Sequence, residues 1–335
     1  DANTYSLLNY EESDRVKAAY DQLAVEAARV GAALPADCQE AYFELVLHPV
    51  KACANLQDLY TAVAWNQYYL QQHNTLANKY AAAAAVCFEK DSLISLEYNR
   101  LNHGEWDHMM DQTHIGYKYW QEPKHQTMPE VGFLKGGAPL NNAKPMVAGR
   151  SALPMVPKGR TGNVFYEKDG YISIEAAHFT HKVNAGEVQW KVIPGIGRDG
   201  DGITSFPVTA ADEMGASYLA YEFYSYDTGT VKVNAYFSPT LNFRHDSSGL
   251  RYGISLDDEQ PQVMSINKND DKVKTWGEWV AGSVIIKTTA HTVNRMGRHT
   301  IKFWRVSPGV VLQKIVVDLG GEKPSYLGPP ETLAN

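Results

Sequence analysis

Cysteine is scarce. Only Cys38, Cys53 and Cys87 occur in 335 residues, an odd number with no close pair. That pattern excludes a disulfide framework and the paired spacing of a zinc module, and it reads as three small packing residues in a core. Long apolar runs are missing as well: none approaches the ~18 residues that a membrane span requires. There is no basic field. The net charge is −7; residues 1–100 carry 7 Lys+Arg against 13 Asp+Glu, and the rest of the chain 24 against 25. Nothing here would hold a polyanion, so nucleic acid is excluded as a partner. No signal-peptide pattern opens the chain and residue 1 is Asp, so the sequence reads as a processed product or a fragment. Internal repeats are absent.

What is present suffices for two domains. Hydrophobic residues make up 44% and charged residues 21% of the chain, an ordinary globular balance. The first part has a helical period. Asn9 followed by Glu12 predicts a capped helix start. Val16, Tyr20, Leu23, Ala27, Val30 and Leu34 then form one stripe, and Pro35 ends it. A second helix is expected from Asp37 to about Val63, with a kink or break at His48 imposed by Pro49. A third is expected from about Asn74, through the alanine tract at 81–85, toward Leu96. Three long helices with short connections predict an antiparallel bundle over residues 1–135.

Gly and Pro crowd residues 136–163, which read as a linker. From Val164 the period becomes two. Segments 217–224, 230–237, 251–256, 283–289, 299–306 and 310–318 alternate inward and outward between turn residues. This predicts an antiparallel β-sandwich of jelly-roll type over 164–320, followed by an extended tail at 321–335. Gly195-Ile196-Gly197-Arg198-Asp199-Gly200 follows a proline and opens no helix, so it is a turn and not a phosphate loop.

Between the two halves lies a segment with neither period, residues 104–123. It concentrates Trp106, Asp107, His108, Asp111, His114, Tyr117, Tyr119 and Trp120, and it is either a buried irregular connection or part of a cleft. Its aromatics can stack on sugar C–H faces or simply pack. Asp107, His108, Asp111 and His114 can be set around one metal, which would make a metal-dependent hydrolase, although the spacing matches no established zinc pattern. Asp111 is expected as a buried acceptor for backbone amides, and Trp120 as a packing anchor. In the sandwich half, Arg244, Arg251 and Tyr252 sit near a loop. An arginine fork suits a carboxylate ligand. The bland alternative is ion pairing of those arginines with the acidic run Asp257, Asp258 and Glu259. Trp276, Trp279, His291 and Arg295 form a weaker grouping of the same kind.

The run Trp106-Asp107-His108-Met109-Met110-Asp111-Gln112-Thr113-His114-Ile115-Gly116-Tyr117 resembles the signature of glycoside hydrolase family 115, the xylan α-1,2-glucuronidases. Tyr5-Ser6-Leu7, Leu47-His48-Pro49-Val50-Lys51, Ile193-Pro194-Gly195-Ile196-Gly197-Arg198, Pro239-Thr240-Leu241-Asn242-Phe243 and the run from Leu250 to Glu259 are similar to the same family. The resemblance extends over nearly the whole chain but only over the C-terminal portion of the family's architecture, because the family's catalytic barrel lies upstream. It implies the C-terminal half of an enzyme that removes glucuronic or 4-O-methylglucuronic acid from xylan by inversion. The implied protein is secreted or periplasmic and bacterial, dimeric, and uses no cofactor; its partners would be a xylan-type polysaccharide or acidic xylo-oligosaccharide and the missing barrel. The reaction needs two carboxyl groups flanking the bond, and the resemblance places them on that barrel. The candidate substrate-binding residues here are Trp106, His108, Asp111, His114, Tyr117, Trp120, Arg244, Arg251 and Tyr252, with no catalytic residue and no metal. A free-standing carbohydrate-binding protein built on the sandwich is the alternative from another class.

Overall fold

A computed structural model describes residues 1–118, 120–136, 162–268 and 273–334. Tyr119 and most of the Gly/Pro-rich segment lie outside the described residues. The chain divides into two compact units, Asp1–Val147 and Ala148–Asn335.

The first unit is helical. Helices α1 (Glu12–Ala33), α2 (Ala36–Tyr42), α3 (His48–Gln71) and α4 (Leu76–Asn99) follow in order, with a π-helical turn at Phe43–Leu47 between α2 and α3. That turn is the break expected at His48. Pro49 falls in the first turn of α3, where its missing N–H removes no intrahelical bond. The expected second helix is therefore two. At the start of α1 the buried Glu12 carboxylate accepts the Ser6 N–H at 2.7 Å, and the Asn9 N–H donates to Ser6 Oγ at 2.9 Å. Asn74 Oδ1 accepts the Leu76 N–H at 2.9 Å and opens α4. Along α4, Ala77, Ala81 and Ala84 are buried without side-chain bulk against α3. The apolar stripe of α1 is only partly used, since Leu23 and Val30 are exposed. The cysteines correct the reading as core residues in two of three cases: Cys38 and Cys53 are exposed, whereas Cys87 is half-buried and packs against the Leu59, Val63 and Ala84 cluster.

The second unit is a sandwich of two six-stranded sheets. In chain order the strands are β1 (Val164–Tyr166), β2 (Tyr171–Glu175), β3 (His181–Val183), β4 (Gln189–Ile193), β5 (Gly202–Phe206), β6 (Tyr218–Ser225), β7 (Gly229–Phe237), β8 (Arg251–Leu256) and β9 (Gln262–Ser265). A short helix α5 (Val273–Gly282) precedes β10 (Ile285–Val293), β11 (Gly297–Arg305) and β12 (Leu312–Asp318). One sheet runs β1-β6-β11-β8-β9, with β3 also on β6; the other runs β10-β7-β12-β5-β4, with β2 also on β12. The pairing is antiparallel except for β1 on β6. Alternation fills the space between the sheets with Leu219, Tyr221, Phe223, Val233, Phe237, Ile254, Ile301, Phe303 and Ile315, all nearly fully buried. The segment after β12 is extended, and it is also stitched down. Lys314 Nζ reaches the Leu327 and Pro329 carbonyls at 3.2 and 3.3 Å, and Thr332 N–H donates to Ser173 O at 2.9 Å. Among the described residues no helix is long and apolar enough to cross a membrane.

Candidate functional site

Two places gather the candidate residues, one in each unit. In the helical unit the chain leaves α4 through Asn102 (φ 47°) and His103 (φ 60°), and turns again at His108 (φ 69°). Three non-glycine residues in the left-handed region are uncommon in one short stretch. A side-chain relay holds the turn. Asn99, at the end of α4 and 8% exposed, donates through Nδ2 to Asp111 Oδ1 at 2.8 Å and accepts the Met110 N–H at 2.9 Å. Asp111 Oδ2 then meets His108 Nδ1 at 2.6 Å. The hydrogen bond to Asp111 holds the His108 imidazole above its usual pKa, and the same bond holds the Asp111 carboxyl below its own.

Six residues on, the chain turns inward. His114 Nε2 lies 2.8 Å from Asp91 Oδ1, and the Asp91 side chain is 4% exposed. His114 Nδ1 lies 3.1 Å from the Gln112 carbonyl and 2.9 Å from Gln126 Nε2. Gln126 Oε1 accepts the N–H groups of both His114 and Ile115. Asp91 raises the His114 pKa against the opposing effect of burial. Ile115 beside it is fully buried with Leu59, Val63 and Ala84. Gly116 has φ +106°, a conformation that favours glycine, and a side chain there would press on that of Thr127.

The segment thus has two sides. His114 faces the bundle. His108, Met109, Asp111, Tyr117 and Trp120 face outward, with Trp120 93% and Tyr117 44% exposed. This corrects the expectation for Asp111 and Trp120: neither is buried within this chain, because the anchoring task falls to Asn99, Asp91 and Gln126. Trp106 is half-buried, and its Nε1 is enclosed without an acceptor. The four residues considered around a metal diverge, His108 toward Asp111 and His114 toward Asp91. Among the described residues no group of three or more His, Cys, Asp or Glu could hold a metal ion.

In the sandwich, one carboxylate organises the arginines. Asp212, on the connection after β5, accepts from Arg244 Nη1, from Arg251 Nη2 at 2.9 Å and from Ser307 Oγ at 3.0 Å. Arg305, 3% exposed, donates to the Ala211 carbonyl at 2.8 Å and braces that connection from inside. The acidic run expected to neutralise the arginines is engaged elsewhere: Asp257 binds His299 Nδ1 at 2.7 Å and Glu259 binds His291 Nδ1 at 2.6 Å. No motif marked Asp212 as the partner, since a lone acid between strands resembles any turn residue. Tyr252 does not join the cluster. Alternation along β8 sends Arg251 outward and Tyr252 into the core, where it is 1% exposed and packs on Phe237 and Phe303 at 4.6 and 5.5 Å between ring centres. Of the weaker grouping, His291 is buried against Glu259 and Trp279 packs on the core.

The family model described as the glycosyl hydrolase family 115 C-terminal domain matches residues 164–331. No curated protein matches by sequence. Among solved structures, a family 115 4-O-methyl-α-glucuronidase with specificity for decorated arabinogalactans aligns with a TM-score of 0.61 at 19% identity, covering 91% of this chain and 33% of that one. The chain therefore spans about a third of that enzyme's length. A family 35 carbohydrate-binding module from Clostridium thermocellum aligns with a TM-score of 0.31 at 14% identity, over 44% of this chain and 97% of that one.

Proposed function

The chain belongs to glycosyl hydrolase family 115, and from that premise we propose that it is the C-terminal half of a xylan α-glucuronidase that removes glucuronic or 4-O-methylglucuronic acid side groups with inversion. In this reading the helical unit and the sandwich support a catalytic barrel that carries the acid and the base, the enzyme works as a homodimer on an acidic polysaccharide, and it is secreted or periplasmic in a bacterium. The observation that carries the reading is the outward side of the central segment. His108 and Asp111 are fixed in place by Asn99, while Tyr117 and Trp120 stand exposed farther along the same segment. A polar pair held in one geometry and bare aromatic surface on the same segment suit a sugar or an adjoining domain.

Glycoside hydrolysis uses two flanking carboxyl groups, roughly 5 Å apart for retention or 6.5–9.5 Å for inversion, and in this reading both belong to the barrel. The chain by itself is therefore expected to release no uronic acid from decorated xylo-oligosaccharides, whereas the same chain joined to its barrel is expected to release it. A turnover above background that survives repurification of the isolated chain would overturn this reading. Running decorated xylan beside decorated arabinogalactan as substrates for the intact enzyme tests the substrate half of it. The dimer is tested by sedimentation, where a strict monomer across a wide concentration range would count against it.

A further inference from the structure

The register of the first sheet places one apolar row across its outer face. Val183 on β3 stands opposite Tyr218 on β6, Tyr218 opposite Trp304 on β11, Trp304 opposite Gly253 on β8, and Gly253 opposite Val263 on β9. The inward neighbours Leu219, Tyr252 and Phe303 fill the core, so strand alternation turns this row outward. Five strands at ~4.8 Å each make the row about 19 Å long. Tyr218 and Trp304 lie 4.6 Å apart with their rings inclined at 45°. Ser255 Oγ accepts the Trp304 indole N–H at 2.9 Å, which fixes the ring. Gly253 leaves the space that Met214 and Pro261 close over, and Met214 and Val263 are each more than 40% exposed.

A polar row runs alongside, and its register is His181, Ala220, Lys302 and Ser255. Lys302 Nζ stands 5.7 Å from the Tyr218 ring centre and 5.8 Å from that of Trp304. Among the described residues no carboxylate lies within ion-pair reach of Lys302. The nearby Glu222 is engaged by Arg298 at 3.4 Å and His181 at 3.6 Å. This is the reverse of Arg244 and Arg251, whose charges are already answered by Asp212.

We infer that this face is a second carbohydrate-binding surface, in which a sugar ring packs on Tyr218 and Trp304 while the carboxylate of an adjacent uronic acid meets Lys302. Pyranose C–H faces suit the inclined rings, and an ammonium free of carboxylate partners complements a uronate. The choice of an acidic sugar rests on the proposed α-glucuronidase function; the shelf itself does not.

The test is titration of this chain with a glucuronic-acid-decorated xylo-oligosaccharide and with its carboxyl-reduced, neutral counterpart, followed by tryptophan fluorescence and calorimetry. Lys302→Gln should weaken the acidic ligand about tenfold, equivalent to ~1.4 kcal/mol, and leave the neutral one unchanged. Tyr218→Leu should weaken both, and Trp304→Leu should abolish both. Lys302→Gln and Tyr218→Leu change half-buried groups on the outer face, outside the packed core, so they keep the test valid if Trp304→Leu fails to fold. Absence of saturable binding by the parent chain, or equal affinity in Lys302→Gln and Tyr218→Leu, overturns the inference. So does concentration-dependent self-association that Tyr218→Leu removes, which would make the face a contact between copies. If the chain binds no sugar while the barrel-bearing enzyme still releases uronic acid, the inference falls and the proposed activity stands.

Discussion

The two sides of the central segment carry the same chemical pair to different ends. His114 with Asp91 and His108 with Asp111 are both histidine–carboxylate contacts, at 2.8 and 2.6 Å. The shorter contact is the less consequential for stability. The Asp91 side chain is 4% exposed and that of Asp111 55%. Water can replace either partner of the outer pair, whereas among the described residues the enclosed Asp91 carboxylate is answered by His114. The inner pair thus fastens an irregular chain to α4. The outer pair orders two polar groups on a surface, which is worth little to folding and which the proposed function assigns to recognition.

The comparison would be broken most decisively at Ile115. It is fully buried between α3 and α4, and Ile115→Ala is expected to cost about 2–5 kcal/mol, measured by denaturant unfolding. Asp91→Ala comes next. It removes the acceptor of the His114 Nε2 contact, and because the His114 side chain is 35% exposed water answers part of the loss, so the cost is expected in the lower part of roughly 1–3 kcal/mol. Asp111→Ala should move the unfolding midpoint far less. If the two aspartate variants unfold at the same denaturant concentration, the distinction between the inner and outer sides is wrong.

A smaller effect is expected from pH. The His114 pKa is raised by Asp91 above its ordinary value of ~6.5. Its contribution is then fully present below that ordinary value and is lost as pH rises through the raised one. The stability difference between the parent chain and His114→Gln should therefore be larger near pH 5.5 than near pH 8.5, on either side of ~6.5. Thermal unfolding of both proteins at the two pH values reads this directly, and an unchanged or reversed difference would show that the imidazolium is not held by Asp91.

The sequence made the elements more legible than their contacts. Period-two alternation located β6, β7, β8, β10, β11 and β12, because each buries one face against the other sheet. It missed β1, β2, β3, β4, β5 and β9, which have three to five residues and are too short to display a clear period. The parallel pairing of β1 with β6 was also beyond it, since strand direction leaves no local signal. At the candidate sites, composition pointed to His108, Asp111 and His114 but could not divide them, because the division depends on Asn99, Asp91 and Gln126 in distant turns and helices. Tyr252 was misplaced by one residue of strand phase, which is enough to send a side chain to the opposite face.

The smallest effect on this chain is expected at Trp120, and it sharpens the comparison most. A tryptophan buried on folding would cost about 3–5 kcal/mol on truncation to alanine. At 93% exposure Trp120 has almost no buried area to lose, so Trp120→Ala should stay within about 0.5 kcal/mol of the parent. The same substitution in the intact enzyme should weaken either substrate binding or the fit of the barrel, since the proposed function gives the exposed ring a partner there. The two outcomes separate kinetically. Loss of substrate contact raises KM at constant stability, while loss of a domain contact lowers the melting temperature of the intact enzyme and spares that of this chain. A Trp120→Ala variant of the intact enzyme that is unaltered in both would mean that the ring meets neither, and it would remove the outer side of the segment from the proposed function.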